Sequence, residues 1–219
     1  MMELDGPRQP PADGGPARAL VVLLHGYGAD GNDLIGLAPY WSRVLPHVEF
    51  VSPHAPFPCE MSPFGRQWFS LADRSPQPVL AGTRLAAQLI DGFLDDELAR
   101  TGLAAGALAL VGFSQGTMMS LFVGPRRADP IAGILGFSGR LIAPELLPGE
   151  LRSRCPVSLV HGDSDEMVPA SELAASVTGL EAAGFEVSSR MCRGLGHSID
   201  ETGLRDGLAF LRRVLPGPG

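Results

Sequence analysis

Hydrophobic residues in this chain fall into short unbroken runs: Ala19–Leu24, Val48–Ser52, Ala107–Gly112, Ile131–Phe137, Val157–His161 and Glu186–Met191. Each has strand length, and the stretches between them are long enough for crossover helices. Runs of this kind mark strands buried on both faces, so the pattern predicts an α/β fold, a mostly parallel sheet with helices on both sides. The intervening segments carry helical periodicity. Leu85, Leu89, Phe93 and Leu98 recur within residues 82 to 101, and Leu204, Leu208, Leu211 and Leu215 recur near the end. Both read as amphipathic helices lying on the sheet. Residues 115 to 123 are apolar on nearly every side, through Met118, Met119, Leu121 and Phe122, as a fully buried helix would be, and Gly124-Pro125 stops them.

Residues 53 to 80 break the alternation with Pro53, Pro56, Pro58, Pro63, Pro76 and Pro78 among Phe57, Met61, Phe64, Trp68 and Phe69. Exposed aromatics cost free energy unless they cover something, so this loop is either a lid over a binding site or an Ω-loop packed on the core. Residues 1–17, rich in Pro, Gly and Ala, read as a flexible tail, and residues 18–219 as a single domain. The start of the chain lacks the basic and apolar regions of a secretory signal, and Ala19 to Leu24 is far too short to span a bilayer, so no stable membrane insertion is expected. A net charge of −7 without a basic cluster disfavours nucleic acid as a partner. Three cysteines without CxxC spacing suggest neither a disulfide framework nor a zinc site, and a reducing cytoplasm is the expected location.

The most informative stretch is Gly112-Phe113-Ser114-Gln115-Gly116, at the junction of an apolar strand and the buried helix. A serine in such a turn projects its hydroxyl from the tip of a sheet, in a backbone geometry that only small neighbours tolerate. The pentapeptide alone is weak: with 28 Gly and 16 Ser in 219 residues, chance supplies it about 0.26 times per chain. Its context strengthens it, because an acid-bearing segment, Asp163 to Asp165, and then His197 follow in the order Ser, Asp, His used by α/β-hydrolases. A serine hydroxyl needs a base, and the base needs an acceptor that fixes its tautomer. Of five histidines, His25 and His161 end strands immediately before Gly and suit bonds to neighbouring loops, while His47 and His54 flank the second strand. Only His197 lies in a Gly-rich loop between the last strand and the last helix, where it can reach the carboxyl edge of the sheet.

Spacing does not choose between Asp163 and Asp165; one of them caps the turn or the next helix. Asp200 and Asp206 suit a helix cap and a solvent-facing charge. For an oxyanion hole, the amide after the nucleophile is Gln115, and His25-Gly26-Tyr27-Gly28 offers Tyr27 N–H as the second donor. A phosphate-binding reading of that loop fails for want of a following Lys-Ser/Thr. The histidines have no metal-ligand spacing, so catalysis reads as free of metal and cofactor.

Taken together, Leu-Leu-His25-Gly26-Tyr27-Gly28-Ala-Asp-Gly, the Ser114 pentapeptide, His161-Gly-Asp-Ser-Asp165-Glu-Met-Val-Pro169 and Gly196-His197-Ser resemble the phospholipase/carboxylesterase family, from about residue 19 to 215. That family includes acyl-protein thioesterases and bacterial carboxylesterases. The resemblance implies an α/β-hydrolase fold without a large cap domain, and ester hydrolysis through an acyl-enzyme. It selects Asp165 as the acid, places the oxyanion amides at Tyr27 and Gln115, and implies a substrate-lining motif at Trp68, Phe69 and Leu71. A small ester or an acyl thioester is then the substrate, and a homodimer an inherited expectation. Thioesterase members commonly have Leu where Tyr27 stands, which bears on the shape of the acyl pocket. Dienelactone hydrolases are similar in size but carry Cys at the position of Ser114. A non-catalytic hydrolase-fold binding protein is the reading from another class, and it has no need of all three residue types in order.

Overall fold

The computed structural model describes residues 3–217. Each anticipated apolar run holds a strand: β2 (Ala19–Leu24), β3 (Val48–Val51), β6 (Leu108–Phe113), β7 (Gly133–Phe137), β8 (Val157–Gly162) and β9 (Val187–Cys192). A two-residue strand β1 (Arg8–Gln9) precedes them, and a small separate hairpin, β4 (Phe57–Pro58) with β5 (Arg66–Gln67), lies between β3 and β6. The main sheet has seven strands in the order β1-β3-β2-β6-β7-β8-β9. β1 pairs antiparallel with β3, and every other pairing in the sheet is parallel. Short helices α1 (Gly31–Leu34), α2 (Ala38–Ser42) and α5 (Leu147–Glu150) join the longer α3 (Pro76–Thr101), α4 (Gln115–Val123), α6 (Ser171–Ala182) and α7 (Glu201–Val214).

All of β2 is fully buried, and its alternate residues feed two cores. Leu20, Val22 and Leu24 face the layer of α3, α4 and α6, whereas Ala19, Val21 and Leu23 face that of α2 and α7. Parallel strands all end on the same edge, so the loops after β2, β6, β8 and β9 gather there. Helix α4, buried along its whole length, sits behind that edge. Among the described residues no helix is long and apolar enough to cross a membrane.

Two expectations are corrected. The amino-terminal segment is not a loose tail over residues 5–9. Arg8 reaches the carboxylates of Glu49 at 3.0 Å and Glu97 at 2.8 Å, and the carbonyls of Asp5 and Pro7 accept from His54 and Ser52 N–H. Burial of Glu97 by itself would raise its carboxyl, but bonds to Arg8 and Arg100 hold it below the usual carboxylate range. Composition cannot reveal such an anchor, because its partners lie far along the chain. Helix α3 is also phased differently. It buries Val79, Thr83, Ala86, Ile90, Phe93 and Glu97, while Leu85 is exposed. The two polar members are satisfied inside, Thr83 by donating to the Val79 carbonyl at 2.7 Å and Glu97 by its arginines. A stripe counted on leucines alone therefore misses the turn of the helix.

Candidate active site

The turn between β6 and α4 is built by close contacts. A Cβ on Gly112 would lie 2.3 Å from the Thr117 nitrogen, and one on Gly116 would lie 1.7 Å from the Leu24 carbonyl oxygen. Neither position accepts a side chain without moving backbone, which explains both glycines of the pentapeptide. Between them Ser114 adopts φ 52° and ψ −114°, a region that costs a non-glycine residue on the order of 1–3 kcal/mol. Its N–H donates to the Phe137 carbonyl at 2.8 Å. Thr117 Oγ1 lies 2.8 Å from the Gly112 carbonyl oxygen and accepts from Phe137 N–H at 3.0 Å, so the strain is held from the neighbouring strand as well.

His197, in the loop after β9, has its Nδ1 2.7 Å from Asp165 Oδ2. Asp165 lies in the loop after β8, and its other oxygen accepts from Met167 N–H and Val168 N–H, each at 2.9 Å. Burial alone would push this carboxyl up; the Val168 amide, His197 and the Met167 amide together bring it below its usual range. His161 Nε2 lies 3.0 Å from the Val168 carbonyl oxygen and 3.3 Å from Asp165 Oδ2, a second imidazole bearing on the same carboxylate. Asp163 does something else: its exposed carboxylate accepts from Gly194 N–H at 2.7 Å and Ser164 Oγ at 2.9 Å, tying the β8 loop to the one that carries His197.

A cavity of about 630 Å³ opens at this edge, and Ser114, Gln115, His197, Tyr27, Phe69 and Leu71 all line it. Among the described residues the Ser114 hydroxyl makes no hydrogen bond to His197, a contact that commonly tightens only when substrate is bound. The amides of Tyr27 and Gln115 likewise have no acceptor among the described residues. Gly26 comes close to Ser114, since a Cβ there would lie 3.5 Å from that of Ser114.

Trp68, expected at the substrate, is not in the cavity wall. It is fully buried beneath it, its indole N–H donating to the His25 carbonyl at 2.9 Å and its ring 5.4 Å from that of His25. An aromatic in a loop can floor a pocket as readily as line it, and the sequence pattern does not tell these apart. The long loop is tied to α4: Trp68 N–H donates to Gln115 Oε1 and Gln115 Nε2 donates to the Phe69 carbonyl, both at 2.8 Å. Sequence reasoning missed Phe113, Met118, Cys59 and Arg140 in the wall. Phe113 also packs its ring 4.8 Å from that of His197. It occupies the variable place of the pentapeptide, which carries no residue signal.

The model of the phospholipase/carboxylesterase family matches residues 11–215. Acyl-protein thioesterase 1 from Gibberella zeae is 29% identical over 215 residues, covering 90% of this chain and 91% of its own. Esterase YpfH from Escherichia coli is 27% identical, over 92% of this chain and 85% of its own. The crystal structure of esterase PE8 superposes with a TM-score of 0.93 at 43% identity, over 97% of this chain and 100% of its own.

Proposed function

Because this chain belongs to the phospholipase/carboxylesterase family and is an ester hydrolase, we propose that Ser114 is its nucleophile, His197 its general base and Asp165 the acid that orients the base. The observation that carries the reading is the 2.7 Å contact between His197 Nδ1 and the buried Asp165 carboxylate. With Nδ1–H donating to Asp165, Nε2 is the nitrogen left to accept a proton. Ser114 Oγ attacks the acyl carbonyl as its proton passes to Nε2, and the C–O bond to the alcohol breaks as Nε2 returns the proton to the leaving oxygen. Water, deprotonated by the same nitrogen, then releases the acid and restores Ser114. The N–H groups of Tyr27 and Gln115 hold the oxyanion in both steps, each worth on the order of 3 kcal/mol.

Labelling with a fluorophosphonate probe and turnover of p-nitrophenyl esters test this. Ser114→Ala is expected to abolish labelling and to lower kcat by about 10⁶, the scale seen when a triad loses its nucleophile. Labelling that survives the substitution sinks the assignment. The same machinery cleaves acyl thioesters, a second reading favoured by the similarity to the Gibberella zeae thioesterase. Matched oxygen esters and thioesters of rising acyl length separate the two.

A further inference from the structure

The Gly26–Tyr27 peptide has to present its N–H, not its carbonyl, to the reacting oxygen, and the loop's own backbone holds that orientation by one long bond alone, from Ala29 N–H to the Gly26 carbonyl at 3.3 Å. We infer that His25 enforces it: its Nδ1–H, 2.8 Å from the Gly26 carbonyl oxygen, turns that carbonyl away from the cavity and thereby aims Tyr27 N–H into it. The inference rests on the oxyanion assignment above and names the residue through which that assignment works.

Carbonyl and N–H of a trans peptide point in opposite directions, and the described residues contain no cis bond, so fixing the Gly26 oxygen fixes the Tyr27 hydrogen. A flipped peptide would lose the bonds from His25 and Ala29 and put an oxygen where negative charge develops. The imidazole is itself fixed. Nε2 accepts from Ala55 N–H at 3.0 Å, which requires the proton to sit on Nδ1, the nitrogen facing Gly26. Burial holds the ring neutral, pushing its pKa down to about 4, so this tautomer persists at working pH. Trp68 packs on the ring, and its indole N–H ties the His25 carbonyl. His25 touches no reacting atom; it is a positioning residue.

Two substitutions divide the ring's functions. An asparagine amide reaches the place of Nδ1 and can donate to Gly26, whereas a glutamine amide reaches the place of Nε2 and can accept from Ala55 but not serve Gly26. Each keeps one bond of two and leaves a similar void under Trp68. His25→Asn is expected to rescue kcat to within about threefold of the wild type. His25→Gln is expected to lower kcat by about 10–10², approaching the 10²–10³ that follows loss of an oxyanion donor, with KM nearly unchanged. A trifluoromethyl ketone, which adds to the serine and places an oxyanion in the hole, should lose affinity for His25→Gln in parallel with kcat. Should Asn and Gln lose activity equally, in step with their melting temperatures, or should Gln keep wild-type kcat and inhibitor affinity, the inference is overturned. If neither variant folds, two-bond ¹H–¹⁵N spectra of the wild-type enzyme decide it: an Nδ1–H tautomer at His25 is required, and an Nε2–H tautomer refutes it. Ser114→Ala with retained turnover would instead remove the site reading itself, so the two failures are distinguishable.

Discussion

Gly116→Ala is the sharpest single test of how the fold supports the site. The new Cβ would start 1.7 Å from the Leu24 carbonyl oxygen and 2.4 Å from its carbon, so α4 and β2 must part by about 1.3 Å before the contact reaches the 3.0 Å below which Cβ atoms are essentially never found. Neither side gives easily: Leu24 ends β2, an interior strand flanked by β3 and β6, and is itself paired with Gly112 of β6, and α4 is buried throughout. Overpacking a core usually costs about 1–3 kcal/mol, and a clash with backbone belongs at the upper end. For a chain of this size about 3 kcal/mol lowers Tm by roughly 6–12 °C. The displacement also carries Ser114 and Gln115 N–H with the helix, and a misplacement of about 1 Å costs on the order of 10² in rate. Differential scanning calorimetry and p-nitrophenyl ester kinetics on the folded variant measure both. A variant with wild-type Tm and kcat would show that the elbow and the strand are not pressed together as described.

Other outcomes follow from the same geometry. Asp165→Asn should lower kcat by about 10⁴, as when a triad loses the acceptor that sets the tautomer, whereas Asp163→Asn should change it little because an amide oxygen still accepts from Gly194; the reverse ranking in ester kinetics would exchange their roles. His25 is held neutral in the fold, chiefly by burial, with its pKa lowered to about 4 against 6.5 for the free side chain, so the unfolded chain binds a proton first as pH falls. About 3 kcal/mol of stability is therefore lost between pH 6.5 and 4, and urea titrations across that window should show it in the wild type but not in His25→Asn. Arg8→Met should cost about 1–2 kcal/mol by urea midpoint, less than the 3–5 of a fully buried pair, because its side chain is 38% exposed and Arg100 still serves both glutamates; no change would mean that the Arg8 ion pairs contribute nothing to holding the amino-terminal segment.

The central strands were legible because burial on both faces forces continuous aliphatic runs, and β2 with its six buried residues is the plainest case. β1 was not, since a strand of two residues, Arg8 and Gln9, leaves no pattern. The pentapeptide announced the elbow because steric contact at Gly112 and Gly116 admits no other residue, and chain order pointed to the loops that carry Asp165 and His197. What separates Asp165 from Asp163 is which carboxylate faces the imidazole and which faces Gly194, a matter of direction that two residues of spacing do not encode. Trp68 shows the same limit, as does the phase of α3, where Thr83 and Glu97 point inward because their partners satisfy them.

The loop bearing His197 hangs from β9, an outermost strand paired only with β8 and showing solvent the side chains of Ser188, Ser189, Arg190 and Met191, while Ser114 follows β6, the middle strand of the seven. Local opening needs least free energy where a strand has a single neighbour. Warming should therefore withdraw the imidazole before it disturbs the alcohol, so that catalytic competence fades through fraying at one margin while the body of the protein is still intact.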